Sequence, residues 1–395
     1  MRGLTPLFVS TFPPTACGLA TFTQDVADSV DQALDEPGSL VAAILKGPDV
    51  EFADRRVQMV IDNRDPRGYA EAGREISDGP ADVVSLQHEF GLYPGDWGEA
   101  VLDLVAECRK PLVTTFHTLS TAPDPKPKQI IRQLAQASEL VVVMTRTSVE
   151  LLKRVYQIHR IPTVIIPHGV PDVRFTHRAT LRRELDLDGR QVLCTFGLLG
   201  RSKHIEVALR AMPHILRSFP EVLYVVAGRT HPNVRAEEGE AYREELQALA
   251  SDLGIAHAVR FINRYLGRRE LIDLLKATDI YVTPYGGREQ VVSGTLAYAM
   301  ASGRAIISTP FLYAVEVLGE GRGVLIDFED AAGLANAAIH LLRSPALREE
   351  LEVQAYGYAR QMIWPVVGSR YAAAFQQAVG AHVEAEPTQS ISRLS

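Results

Sequence analysis

The side chains with chemistry to offer gather where short apolar runs end. In Phe196-Gly197-Leu198-Leu199-Gly200-Arg201-Ser202-Lys203-His204, two cations stand two residues apart in a glycine-loosened turn before an amphipathic stretch. Neighbouring cations repel unless water or an anion screens them, and a diphosphate suits this pair. Arg201 would hold it in fork geometry and Lys203 as a point charge; solvated surface cations are the plainer reading. Further on, Pro284-Tyr285-Gly286-Gly287-Arg288-Glu289-Gln290-Val291-Val292-Ser293-Gly294-Thr295 leads into a helix of small residues. Hydroxyls and open backbone N–H groups of Ser293, Gly294 and Thr295 at a helix start are phosphate-binding chemistry without a Walker lysine. Near the N-terminus, Pro13-Pro14-Thr15-Ala16-Cys17-Gly18 precedes a helix expected from about Leu19, where Gly18 lets backbone approach a ligand or simply makes a tight turn. Two further runs end in Gln87-His88-Glu89 and Phe116-His117-Thr118. A single histidine there is more often structural; two on neighbouring strand ends, one followed by a carboxylate, raise the case for function. No HxxxH or HxH spacing presents two metal ligands together, so no metal is expected.

These residues require strands to deliver them. PLFVST (6–11), SLVAAILK (39–46), VQMVID (57–62), DVVSLQH (82–88), PLVTTFHT (111–118), ELVVVMT (139–145) and TVIIPHG (163–169) are continuous and mostly β-branched, as parallel strands covered on both faces should be. Helical periodicity between them predicts a doubly wound α/β sheet. The polar, turn-rich stretch 168–190 interrupts the pattern. A second βαβ series follows: 191–197, 222–228, 259–264, 279–284, 305–309 and 323–327. We therefore expect an N-terminal Rossmann-like domain over 1–172, a second over 173–364, a helix over 365–385 and a disordered tail over 386–395. Two such domains would face a cleft lined by the carboxyl ends of both sheets. Neither half carries GxGxxG, which argues against a nicotinamide oxidoreductase.

Composition narrows the classes further. The chain has 395 residues, 23% charged and 46% hydrophobic, with a formal net charge of -7, so no overall basic field attracts nucleic acid. Cys17, Cys108 and Cys194 are odd in number without CxxC spacing, consistent with a reducing cytoplasm. No signal peptide or run of about 20 apolar residues is present, so no integral membrane segment is expected. Oligomeric state stays open.

The order of these motifs, over nearly the whole chain, resembles the GT-B glycosyltransferases of family 4. FGLLGRSKHIEVALRAM is similar to that family's stretch ending in a phosphate-binding basic residue, here Lys203 with Arg201 beside it. AGRTHP, VRFINRYL and ATDIYVTPY stand in the places of its glycine loop, base-flanking loop and penultimate strand, and YAMASGRAIIST is similar to its helix–glycine–strand block. The resemblance implies a C-terminal helix packing back on the N-terminal domain. It also implies that Asn263, Arg264, Tyr265 and Leu266 flank the nucleotide base, that His117 approaches the donor sugar, and that His88 and Glu89 face the acceptor. Gly18 would let the N-terminal loop close on the donor. The chain departs from the family where two glutamates separated by seven residues are usual: Gln290 and Tyr298 occupy those places. Gln290 can still hydrogen-bond a donor sugar, Glu289 lies one residue off register, and Tyr298 cannot grip a ribose bidentately. This marks a variant subfamily. The implied activity is retaining, metal-independent transfer of a hexosyl group of mannose or glucose type, within carbohydrate biosynthesis. The donor would be a GDP- or UDP-sugar, the acceptor a small molecule or glycan, and no cofactor is required. The departing diphosphate would take the acceptor's proton. The alternatives are a GT-B sugar-nucleotide epimerase and a catalytically silent sugar-nucleotide-binding protein.

Overall fold

A strand buried on both faces needs an apolar residue at every position rather than every second one. PLFVS and LVTTF have that character and are buried throughout. The computed structural model describes residues 3–15, 17–34, 38–47, 49–175 and 179–391. Within them, β1 (Pro6–Ser10), β2 (Leu40–Leu45), β3 (Val57–Asp62), β4 (Val83–His88), β5 (Leu112–Phe116), β6 (Leu140–Val143) and β7 (Thr163–Ile165) form one sheet of order β3-β2-β1-β4-β5-β6-β7. A second sheet has the order β10-β9-β8-β11-β12-β13. Its members are β8 (Gln191–Phe196), β9 (Val222–Ala227), β10 (Val259–Ile262), β11 (Ile280–Thr283), β12 (Ala305–Ser308) and β13 (Val324–Leu325). The pairings are parallel in both sheets, and the crossovers carry helices except between β2 and β3, where a loop makes the connection.

The chain divides into two compact units, Met1–Gly169 with Ile363–Ser395, and Val170–Met362. The first junction falls three residues before the expected start of the second domain at 173, and the returning segment begins at Ile363 rather than 365. The local bonding accounts for both. Val170 donates its N–H to the Met362 carbonyl within the second unit. A Cβ on Gly169 would lie 2.0 Å from the Trp364 ring, so only glycine admits that indole within the first unit.

In the first unit the helix Trp364–Ile391 packs on the helix Gly18–Ala33. At the crossing, a Cβ on Gly368 would stand 2.2 Å from the Ser29 carbonyl oxygen. Phe375 meets Phe8 edge-on at 5.9 Å, and Tyr371 reaches Thr115 at 3.3 Å. The helix continues past the expected limit of 385 to Ile391, into the stretch expected to be a disordered tail; residues 392–395 lie outside those described. In the second unit the two faces of the sheet carry separate cores. Leu193, Tyr224, Val226, Ile280 and Val282 pack with the helices Ile205–Ser218 and Ala331–Arg343. Val192, Cys194, Leu223 and Val225 pack with Leu266 and the helix Arg268–Ala277.

This winding decides where a ligand can bind. Strand order reverses between β1 and β4 in one sheet and between β8 and β11 in the other. Open α/β sheets take ligands at the carboxyl ends of strands flanking such a reversal. The loops at 11–17, 89–91, 197–204 and 284–293 leave those ends.

Candidate functional site

In the second unit, β8 ends in Gly197, whose φ of +128° an L side chain rarely adopts. A Cβ there would lie 3.1 Å from the Thr295 methyl and 3.7 Å from Lys203 Nζ. Behind it, a Cβ on Gly228 (φ +135°) would fall 1.9 Å from the Gly197 carbonyl oxygen, so the two turns touch backbone to backbone. The loop after Gly197 then folds through a 3-10 turn, Arg201–Lys203. Gly286 N–H bonds the Ser202 carbonyl at 3.2 Å, and a Cβ on Gly286 would lie 2.2 Å from His204 Nε2, so the two loops are stitched together where only glycine fits.

Lys203 donates to the Tyr285 hydroxyl at 2.6 Å, its ammonium 3.9 Å from that ring's centroid, and it has no carboxylate partner among the described residues. Tyr285 bonds Thr295 Oγ1 at 2.8 Å, and Thr295 bonds Ser293 Oγ at 3.2 Å. Ser293 caps the helix Gly294–Ala301 by accepting from Leu296 N–H. The cap satisfies one amide, and the first-turn N–H groups of Gly294 and Thr295 have no partner among the described residues. A single ammonium and a helix N-terminus thus stand within one hydrogen-bonded chain, an arrangement that attracts an anion.

Arg201 does not join it, contrary to expectation. It lies in a double ion pair with Glu238 at 2.7 Å and Glu245 at 2.8 Å, and its guanidinium covers the Tyr242 ring. Two carboxylates already balance its charge. The base-flanking stretch also divides. Leu266 is buried in the apolar cluster with Leu187, Val225 and Leu274, and Arg264 is paired with Glu270. Asn263 and Tyr265 are exposed.

In the first unit, Gly18 opens the helix Gly18–Ala33, exposed, and a Cβ built on it meets nothing within 4 Å. Cys17 caps this helix through its sulfur. His117 follows β5. The Gln87 amide donates to Ser85 Oγ, so its oxygen is left to accept from His117 Nε2 at 2.9 Å. Nδ1 of His117 is therefore an acceptor with no partner among the described residues. Burial, then the imidazoles of His168 and His88, push the His117 pKa down to about 3, so the ring is neutral at pH 7. Phe22 meets it edge-on at 5.0 Å. Glu89 accepts from Thr118 at 2.7 Å and from Phe90 N–H at 3.0 Å, and burial, outweighing these bonds, raises its pKa.

His88 departs from its expected place facing an acceptor. It is fully buried among Phe90, Tyr93 and Phe116, both ring nitrogens lack a partner, and burial pushes its pKa down to about 3. The last position of a fully covered strand points into the core as its predecessors do. Sequence reasoning missed His168, which donates from Nδ1 to the Gly169 carbonyl at 2.8 Å and leaves Nε2 as an acceptor. Burial lowers its pKa to about 4. Phe22 lies 5.3 Å from it and Trp364 6.4 Å. Its sequence signal is Pro167-His168-Gly169 just beyond β7, which the sequence reading places inside the strand run 163–169.

Residues 177–358 match the family described as Glycosyl transferases group 1, and residues 47–174 match Glycosyltransferase Family 4. The chain belongs to the family 4 glycosyltransferases. Its relatives include the phosphatidyl-myo-inositol mannosyltransferase of Mycolicibacterium smegmatis, 27% identical over 338 residues that cover 83% of this chain and 79% of that protein. The D-inositol 3-phosphate glycosyltransferase of Actinosynnema mirum is 27% identical over 288 residues, 68% of this chain and 67% of that one. Among solved structures, a glycosyltransferase from Rickettsia africae aligns with a TM-score of 0.75 at 15% identity, covering 96% of this chain and 99% of the other. The Anabaena protein HepE in complex with UDP and glucose gives 0.75 at 16%, covering 94% and 99%. The fold is GT-B.

In this family 4 glycosyltransferase the places of the two usual glutamates are occupied as follows. Gln290 turns its amide onto the Val292 carbonyl at 2.8 Å, within its own loop. Tyr298 is half-buried with its ring 6.4 Å from Phe196 at the end of β8, and Glu289 is exposed. The loop is held from behind by Leu312 N–H to the Arg288 carbonyl and Tyr313 N–H to the Gln290 carbonyl. Among the described residues, no helix is long and apolar enough to cross a membrane.

Proposed function

We propose that this glycosyltransferase moves a hexosyl group of mannose or glucose type from a nucleoside-diphosphate sugar to an acceptor hydroxyl, with retention of anomeric configuration. The observation that carries the reading is the Lys203 ammonium, which has no carboxylate partner among the described residues and is tied through Tyr285 and Thr295 to a helix N-terminus. Breaking a sugar–phosphate bond builds negative charge on the departing diphosphate. A fixed cation and fixed amide dipoles stabilise that charge without reorganising. Two relatives support the sugar class and a polyol-like acceptor, being named for mannosyl transfer to phosphatidyl-myo-inositol and for glycosyl transfer to D-inositol 3-phosphate. Structural neighbours solved with UDP or UDP-glucose support a nucleotide donor; GDP- and UDP-sugars are both candidates.

Each residue then has a defined task. Lys203 and the amides of Gly294 and Thr295 hold the diphosphate, with Ser293 fixing the turn. Neutral His117, fixed by Gln87, offers Nδ1 to a donor-sugar hydroxyl. Glu89 offers carboxylate oxygens to the acceptor, and exposed Gly18 admits a ligand close to backbone. Asn263 and Tyr265 flank the base, with Arg264 and Leu266 holding their loop in place. Gln290 and Glu289 border the sugar, and Tyr298 borders the ribose as an aromatic surface. The departing oxygen takes the acceptor's proton, so no carboxylate pair of the hydrolase kind is needed. With the charge offset by Lys203 and the helix, no metal enters the scheme.

Proton NMR of the reaction with GDP-mannose or UDP-glucose and a set of polyol acceptors tests this. The expected product keeps the donor's anomeric configuration and forms in excess EDTA. An inverted product, or activity that collapses in EDTA and returns with magnesium, would overturn the respective part. Donor turnover to an epimer without acceptor would favour an epimerase.

A further inference from the structure

A lysine on a loop loses rotamer freedom when it is held in one place, and that loss must be offset before the ligand arrives if the site is to be preorganised. The residue that offsets it is on the neighbouring strand end. We propose that Tyr285 is a positioning residue for Lys203, fixing its ammonium and the Ser293–Thr295 turn as one unit for the donor's diphosphate; this rests on the function proposed above.

Tyr285 is itself immobile. It is buried, its ring stacks on Phe311 at 5.7 Å and 19°, and Thr309 Oγ1 bonds its carbonyl at 2.6 Å. The direction of the first hydrogen bond follows from chemistry. An ammonium only donates, so the phenol oxygen accepts from Lys203, and in the bond between the phenol and Thr295 Oγ1 either hydroxyl can donate. Thr295 Oγ1 in turn meets Ser293 Oγ, which accepts from Leu296 N–H. The ring adds a second hold on the ammonium from 3.9 Å, the range of cation–π attraction. One phenol therefore orients both the cation and the hydroxyl end of the anion site.

The test is calorimetric titration with UDP and GDP of the wild type, Tyr285→Phe, Lys203→Gln and the double variant. Tyr285→Phe keeps the ring and its stacking. It should weaken nucleotide binding about ten-fold, equivalent to about 1.4 kcal/mol, with the melting temperature nearly unchanged. The double variant should bind no worse than Lys203→Gln alone, because the phenol acts through that ammonium. Thr295→Val, which removes the phenol's hydroxyl partner, should show a smaller loss. Wild-type affinity in Tyr285→Phe, or losses that add in the double variant, overturns the positioning role alone. No binding by the wild type, or undiminished binding by Lys203→Gln, overturns the proposed function beneath it.

Discussion

Arg201 and Lys203 are two residues apart, yet their surroundings give them opposite tasks. Arg201 is neutralised by Glu238 and Glu245, whereas the partner of the Lys203 ammonium among the described residues is a phenol. Lys203→Ala is therefore expected to lower transfer at least a hundred-fold (~2.7 kcal/mol or more), while Arg201→Ala changes it less than about three-fold; initial rates at saturating acceptor separate the two. The pair was legible in the spacing. Their difference was not, because the carboxylates on Arg201 come from 37 and 44 residues downstream. The histidines allow a second expectation. His88, His117 and His168 have folded pKa values of about 3, 3 and 4, below the ordinary value of 6.5. The unfolded chain thus binds more protons between those limits. Their contribution to stability is level above pH 7 and turns unfavourable as pH falls through 6.5 toward 3. His88→Phe removes one such proton and two unpartnered buried nitrogens. Its stability in denaturant should fall less steeply with acid, by roughly 1.4 kcal/mol per pH unit below 6. An unchanged slope would contradict the burial of His88.

At the scale of elements, the strand runs were readable because full burial leaves a continuous apolar signature, and β8 and β11 end within a residue or two of expectation. The turns were readable only as glycine positions; their conformation was not. Gly197 is an instance: its φ and the 3.1 Å gap to Thr295 are properties of two segments brought together by strand order. Gly197→Ala is expected to cost about 1–3 kcal/mol in denaturant unfolding and to weaken nucleotide binding, since a methyl there displaces Thr295 or Lys203. Ser293→Ala removes the helix cap and should cost about 1 kcal/mol. Retained stability in both would show that the turn between β8 and the helix Gly294–Ala301 is not held as described. The base-flanking stretch belongs here too. The resemblance sets Leu266 beside the base, and the helix Arg268–Ala277 supplies the apolar cluster that buries it.

At the scale of the whole molecule, two doubly wound units were legible because polar, turn-rich sequence separates two βαβ series. The positions of the chain crossings were not legible, since they depend on Trp364 finding Gly169 and on Val170 pairing with Met362. Strand order reverses in each unit, with Lys203 and the hydroxyls of Ser293 and Thr295 beyond strand ends of one and the imidazoles of His117 and His168 beyond strand ends of the other. The central claim is that Lys203 and its hydrogen-bonded chain receive the diphosphate of a sugar nucleotide. A thermal-shift screen of sugar nucleotides on the wild type and Lys203→Ala tests it most directly. A ligand at about 100 times its Kd stabilises the native state by about 2.7 kcal/mol, a shift of roughly 5–10 °C for units of this size. That shift is expected for at least one GDP- or UDP-sugar with the wild type, and its near absence in the variant. No shift with any sugar nucleotide, or an equal shift in both proteins, would contradict it.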